Sequence, residues 1–144
     1  MPHKLYSPKV YFNASVILAG LSSSTGGSAK LLNWVKSGHI TGIISEIIAD
    51  EVIRRSPKIH INPDLAQKQI RIIFKVVPPP SHNLTEKYSH LVADQSDAHV
   101  LASAQAASSK FLVSLDKKHI LTLQSKIKIF KVVSPGELIK ILSN

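Results

Sequence analysis

KVYFNASVILAG, residues 9 to 20, opens with Val10, Tyr11 and Phe12, a β-branched and aromatic run of the kind that fills a buried strand. Past Asn13 the run Val16, Ile17 and Leu18 continues as a helix, so residues 9–12 read as a strand and 14–21 as a helix. The change of period falls on Asn13. In open α/β sheets ligands gather in a crevice at the carboxyl ends of the strands. Position 13 is therefore where many such folds present a carboxylate to a metal or a phosphate, and here it carries an amide.

Working outward, runs rich in Val, Ile and Phe alternate with segments of helical period, which argues for an α/β fold with a mostly parallel sheet. Strands are expected at 9–12, 40–44, 73–77, 111–114 and 127–133. Helices are expected at 14–21, 27–37, 45–55, 63–72, 84–92, 96–108, 117–122 and 135–142. Local chemistry supports several boundaries. Gly26-Gly27 opens the second helix and Gly38 follows it, in the positions of a loop and a C-cap. Asn62-Pro63 and Ser134-Pro135 each set a capping residue before a proline at the first helical position. Pro78-Pro79-Pro80-Ser81 continues neither a strand nor a helix and reads as a stiff connection within the domain. IFKVV occurs at both 73–77 and 129–133, but the flanks differ, so these are two similar strands and no duplicated unit.

At 144 residues and 44% hydrophobic, the chain has the size of one domain, residues 1–144. No run reaches the ~18 apolar residues of a membrane span. The stretch behind Lys4 and Lys9 imitates a secretory signal, but Asn13 and Ser15 interrupt its apolar centre and a first strand fits it better. There is no cysteine, which excludes disulfides and thiolate metal sites and suits a reducing cytoplasm. Eighteen Lys and Arg stand against nine Asp and Glu, a net charge of +9, so the surface attracts polyanions and nucleic acid is the obvious partner, the alternative being a basic protein that is merely soluble. Aromatics are only 6%, so platforms for stacking single strands are not evident.

With so few acids, their placement is informative. Glu46, Asp50 and Glu51 form one group, Asp94 and Asp97 a second, and Asp116 stands in a third place. Each lies where a strand or loop gives way to a helix, or on that helix's first turns, so the groups can converge although remote in sequence. In GIISEIIADEVIRR, Ile44, Ile48 and Val52 line one stripe with Glu51 at its edge, while Glu46 and Asp50 point elsewhere. An alternative is an exposed Glu51 paired with Arg54 or Arg55. In ADQSDAHVLASAQAA, Asp97 shares a stripe with Leu101, Ala104 and Ser108, an unexpected place for an acid. Asp94 reads first as an N-cap. Asp116 lies just past the apolar strand at 111–114, with Ser114 two residues before it, and a turn or cap role explains it equally well. Together Glu51, Asp97 and Asp116 make an oxygen-rich set suited to Mg²⁺ or Mn²⁺.

Taken in order, VYFNASVIL, ISEIIADEV, DQSDAHVLASAQA and FLVSLDKKHIL resemble the successive motifs of the PIN-domain nucleases, many of which are VapC-like toxins of toxin-antitoxin pairs. The likeness covers nearly the whole chain. It implies a PIN-like three-layer fold with a five-stranded parallel sheet between helices, metal-dependent cleavage of RNA, frequent homodimers, and a possible antitoxin protein as partner. Carried over by position, it implies that Glu51, Asp97 and Asp116 are catalytic metal-binding acids with Ser15, Ser114 and Asp94 as supporting polar groups. Asn13 stands in the place of the family's first aspartate, and Lys118 where many members have another acid. An amide oxygen can coordinate a hard cation but brings no charge, so activity is expected to be reduced.

Other readings are weaker. GLSSSTGGSAK, residues 20 to 30, lacks the Gly-Lys-Ser/Thr ending of a phosphate-binding loop. The seven histidines (3, 39, 60, 82, 90, 99 and 119) show no zinc spacing. Lys117, Lys118 and His119, beside Asp116, form a basic trio able to hold a phosphate, or a solvated helix start. Trp34 reads as core or dimer contact.

Overall fold

Val10, Tyr11 and Phe12 have no exposed surface, because their strand, β1 (Lys9–Phe12), is the middle of five. The computed structural model describes residues 7–143, so His3 and Lys4 lie outside the described residues. β1 is followed by α1 (Ala14–Ser22), α2 (Gly27–Lys36), β2 (Thr41–Ser45), α3 (Glu46–Arg55), α4 (Pro63–Ile73) and β3 (Lys75–Val77). Then come α5 (His82–Ser89), α6 (Gln95–Ala106), β4 (Phe111–Val113), β5 (Lys131–Val133) and α7 (Pro135–Ser143). All pairings are parallel, in the order β3-β2-β1-β4-β5. The expected α/β architecture, a five-stranded parallel sheet flanked by helices, is the one observed.

The strand order positions the crevice. From β1 the sheet grows through β2 to β3, then restarts on the other side of β1 with β4 and β5. Right-handed crossovers running in opposite directions lay their helices on opposite faces and open a gap beside β1, above the strand ends. The packing agrees: α1 meets α2 and α3, α3 meets α4, and α2 meets α7, while α5 packs on α6. Among the described residues no helix is long and apolar enough to cross a membrane.

Several sequence-based boundaries move. The strand expected at 127–133 covers only Lys131–Val133, since β5 is an edge strand and its sole neighbour, β4, offers three residues to pair with. The strand expected from 73 begins at 75, because α4 runs through Ile73 to bury Ala66 and Ile70. The helix expected at 117–122 is a series of turns ending in a 3-10 turn, Leu121–Leu123. Asp116 supplies the reason. Its carboxylate takes the N–H groups of Lys118 and His119, and its carbonyl those of Ile120 and Leu121, a local alternative to the helical ladder. The helix expected at 96–108 ends at Ala106, so Ser108, with φ 56°, leaves the stripe it was assigned. An unforeseen 3-10 turn, Ser56–Ile59, with Pro57 near its start, follows α3.

The caps hold as read. Asn62 accepts the N–H of Asp64. Ser134 and Glu137 exchange bonds, 3.2 Å from the Glu137 N–H to the Ser134 hydroxyl and 2.8 Å in return, a capping box. Gly26 caps α2 at φ 98°, a backbone state that suits glycine.

Candidate active site

The register of the central strands builds the floor of the crevice. Phe12 lies opposite Val113, so the next residues, Asn13 and Ser114, come out side by side. Asn13 is tied there three ways: its N–H donates to Val113 O at 3.0 Å, its Oδ1 accepts the Ala14 N–H at 2.9 Å, and its Nδ2 donates to Ser114 Oγ at 3.0 Å. The Ser114 hydroxyl, fully buried, also accepts the Asp116 N–H at 3.0 Å. One oxygen thus fastens the first residue past β1 to the turn past β4. Ser15 adds a second stitch, accepting the Leu115 N–H at 3.2 Å.

The acids arrive from three elements. Ile48, Ala49 and Val52 bury one side of α3 and leave Glu51 half-buried at its edge, where Oε2 accepts from Arg55 Nη1 at 3.0 Å. Glu51 thus falls between the two readings: it lines the crevice and is paired with Arg55, but it is half-buried and not on a solvated face. Glu46 points away, in a two-pronged pair with Arg71 of α4 that holds its carboxyl below the usual range. Asp97, in the first turn of α6, is half-buried above the packed Ala98 and Leu101. Asp116 is held by the N–H groups of Lys118 at 3.1 Å and His119 at 2.9 Å, with the His119 ring 3.3 Å from its other oxygen.

Asn13, Ser15, Glu51, Asp97 and Asp116 line one pocket of about 150 Å³. Arg55 and Ser96 complete its polar lining, Ile47 and Val100 its apolar lining. Larger hollows of about 440, 510 and 350 Å³ lie elsewhere; the first two have no carboxylate in their lining and the third has one, Glu137. Ser114 lies beneath the pocket, and Asp94 stands outside its lining as the α6 N-cap. Asp94 accepts the Ser96 N–H and hydroxyl, both at 2.9 Å, which holds its carboxyl below the usual range. Lys117 and Lys118 are exposed and do not line the pocket. Sequence reasoning treated Arg55 only as a surface partner of Glu51; the spacing i, i+4 was the available signal. It did not single out Ser96.

The field in the pocket is registered by Asp97. Burial pushes its carboxyl up, and the charges of Asp94, Asp116 and Glu51 push the same way, while His119 opposes them. Negative charge gathered at one sheltered place fits a hard divalent cation in chemistry: carboxylate and amide oxygens, with room for water. Glu51, Asp97, Asp116 and the Asn13 Oδ1 are the atoms that would hold it. Among the described residues no group of three His, Cys, Asp or Glu is arranged to hold a metal ion. Glu51 and Asp116 are at the same time engaged with Arg55 and His119.

The sequence profile of the PIN domain matches residues 9–118. In fold the chain is similar to PAE2754 from Pyrobaculum aerophilum, with a TM-score of 0.64 and 17% identity, covering 94% of this chain and 96% of that one. It is also similar to VapBC2 from Rickettsia felis bound to a DNA fragment from their promoter, with a TM-score of 0.62 and 12% identity, covering 88% of this chain and 98% of that one. At such identities the likeness is one of fold. No curated protein matches the chain.

Proposed function

The chain belongs to the PIN domain family, and from that premise we propose that it is a Mg²⁺- or Mn²⁺-dependent endoribonuclease whose turnover is slowed by Asn13, the amide in place of the family's first aspartate. The observation that carries the reading is the meeting of Glu51, Asp97 and Asp116 in one pocket, in a chain of net charge +9. A divalent ion there would polarise a phosphodiester oxygen and lower the pKa of the attacking water. The chain's own residues do the rest. Ser114 holds Asn13 and the Asp116 turn in fixed relation, and the N–H groups of residues 118 and 119 keep the Asp116 carboxylate aimed. Lys117, Lys118 and His119, just beyond, draw the RNA backbone toward the acids.

We extend the proposal to the setting. The VapBC2 likeness supports a toxin of a toxin-antitoxin pair, with an antitoxin protein as partner; a homodimeric state, a cytoplasmic location and residues 1–144 as one domain are proposed from the sequence alone. The test is RNA cleavage with and without Mn²⁺ by the chain as it stands, by Asn13→Asp and by Asp97→Asn. Cleavage that requires Mn²⁺, rises with Asn13→Asp and vanishes with Asp97→Asn is expected; no cleavage by any of the three defeats the reading.

A second reading has its own observation. Both polar ends of the Asn13 side chain are already committed, to Ala14 and to Ser114, which favours a catalytically degenerate module that binds RNA or a protein partner through its basic surface. RNA binding that is indifferent to Mn²⁺ and survives loss of both Asp97 and Asp116 would select it.

A further inference from the structure

Arg55 lines the pocket, yet neither the metal set nor the basic trio uses it. Its side chain is 46% exposed and that of its partner Glu51 30%, so the guanidinium sits at the solvent side of the contact. The spacing i, i+4 with the acid first is a favoured helical pair, which accounts for the contact. The neighbouring Arg54 has the same stem and charge but lies about 100° away around the helix and stays out of the lining, so position on α3 brings only one of the two guanidinium groups to the pocket. The three pocket acids are also unequal. Glu51 has Arg55 and Asp116 has His119, whereas Asp97 has no ion-pair partner among the described residues.

Resting on the nuclease reading, we propose that Arg55 is a phosphate-binding residue that exchanges partners: counter-ion of Glu51 in the free cleft, and clamp on a phosphate oxygen of RNA once a divalent cation holds Glu51. The carboxylate of Glu51 is the only anion in contact with Arg55 among the described residues. A cation that takes this carboxylate competes with the guanidinium directly and then repels it. The released side chain remains at the mouth of the pocket, where the next anion to arrive is the backbone of the substrate. A planar guanidinium with paired donors suits a phosphate's two free oxygens better than an ammonium does.

Calorimetric titration of Mn²⁺ into the full chain, Arg55→Ala and Arg54→Ala tests the first half. An exposed pair of this kind is weak, so Arg55→Ala should bind Mn²⁺ about two- to fivefold more tightly, while Arg54→Ala, which removes the same charge one residue away, should stay near the parent. The second half is read by anisotropy with a labelled phosphorothioate RNA oligonucleotide, chosen to resist hydrolysis. Mn²⁺ should strengthen RNA binding by the parent and fail to do so for Arg55→Ala, with Arg55→Lys restoring only part of the gain. Equal Mn²⁺ affinities in the parent and Arg55→Ala, or an equal Mn²⁺-dependent gain in RNA binding by the parent and Arg55→Ala, would overturn the exchange and leave the nuclease reading standing. No Mn²⁺ binding by the parent, Arg55→Ala or Asn13→Asp would overturn both.

Discussion

Ser114→Ala removes a single oxygen from the point where β1 and β4 end, and the consequence can be worked out bond by bond. The lost Oγ accepts the Asn13 amide and the Asp116 N–H, each at 3.0 Å, from a residue with no exposed surface. A sheltered donor left without an acceptor costs about 1–3 kcal/mol. Asn13 and Asp116 both border the pocket, so water replaces part of what each loses, and the lower end of that range applies to each. The sum is a loss of about 2 kcal/mol, read as a shift of the urea midpoint at unchanged slope. Ser15→Ala is the control: its hydroxyl accepts one exposed N–H at 3.2 Å, and the change should stay within about 0.5 kcal/mol. A double-mutant cycle of Asn13→Ala with Ser114→Ala should return a coupling of about 1 kcal/mol. If Ser114→Ala costs no more than Ser15→Ala, the hydroxyl is not the joint between the strands and the turn.

Two further outcomes follow from packing and charge. Asp97→Asn should stabilise the fold at neutral pH: the folded carboxyl is pushed up by burial and by Asp94, Asp116 and Glu51, so the folded state holds its proton longer than the unfolded state. The penalty is absent below the unfolded value of about 3.9, grows as pH rises through the folded value and is complete above it. Denaturation of the two proteins across pH 3–8 should show a gap that opens with pH, and a constant gap would contradict the sign. Gly42→Ala would set a Cβ within 2.7 to 2.9 Å of the Phe74 ring and Val35. It should destabilise by about 1–3 kcal/mol in thermal unfolding while leaving Mn²⁺ affinity unchanged, because Gly42 lies at the opposite end of β2 from the crevice.

The parts of this molecule legible from sequence are those where one local signal and one global role coincide. Val10-Tyr11-Phe12 is apolar on both faces because β1 is covered on both, and Asn62-Pro63 marks a cap that needs no tertiary partner. Asp116 was harder. An aspartate whose carboxylate takes two following N–H groups while its carbonyl takes two more looks the same in sequence as one that starts a helix. The shortness of β5 was missed for a different reason, since Ile127 and Phe130 are buried and read as strand although pairing is set by the length of β4. Glu51, Asp97 and Asp116 were legible as scarce acids at strand ends, but their common pocket depends on strand order. The partner of Glu51 depends on a rotamer that sequence does not encode.

The amide at position 13 connects stability with chemistry. Aspartate would fit the same bonds, because a serine hydroxyl can donate to a carboxylate while still accepting an N–H; the Ser114 proton would turn toward residue 13 and the Asp116 N–H would keep its acceptor. What changes is charge. A fourth carboxylate would enter a pocket where Asp97 is already pushed toward its protonated form, and like charges that share a pocket repel. Asn13→Asp should therefore be less stable than the parent in EDTA at neutral pH, with the deficit closing in acid as the new carboxyl takes a proton. Mn²⁺ should reverse the order, since an ion bound only by the folded state adds about 2.7 kcal/mol at a hundred times its Kd, and the four-carboxylate pocket has the lower Kd. Urea midpoints of the two proteins with EDTA and with Mn²⁺ decide it: an Asn13→Asp protein as stable as its parent in EDTA and indifferent to Mn²⁺ would mean that the acids do not share a field, and the metal chemistry would have no place to act.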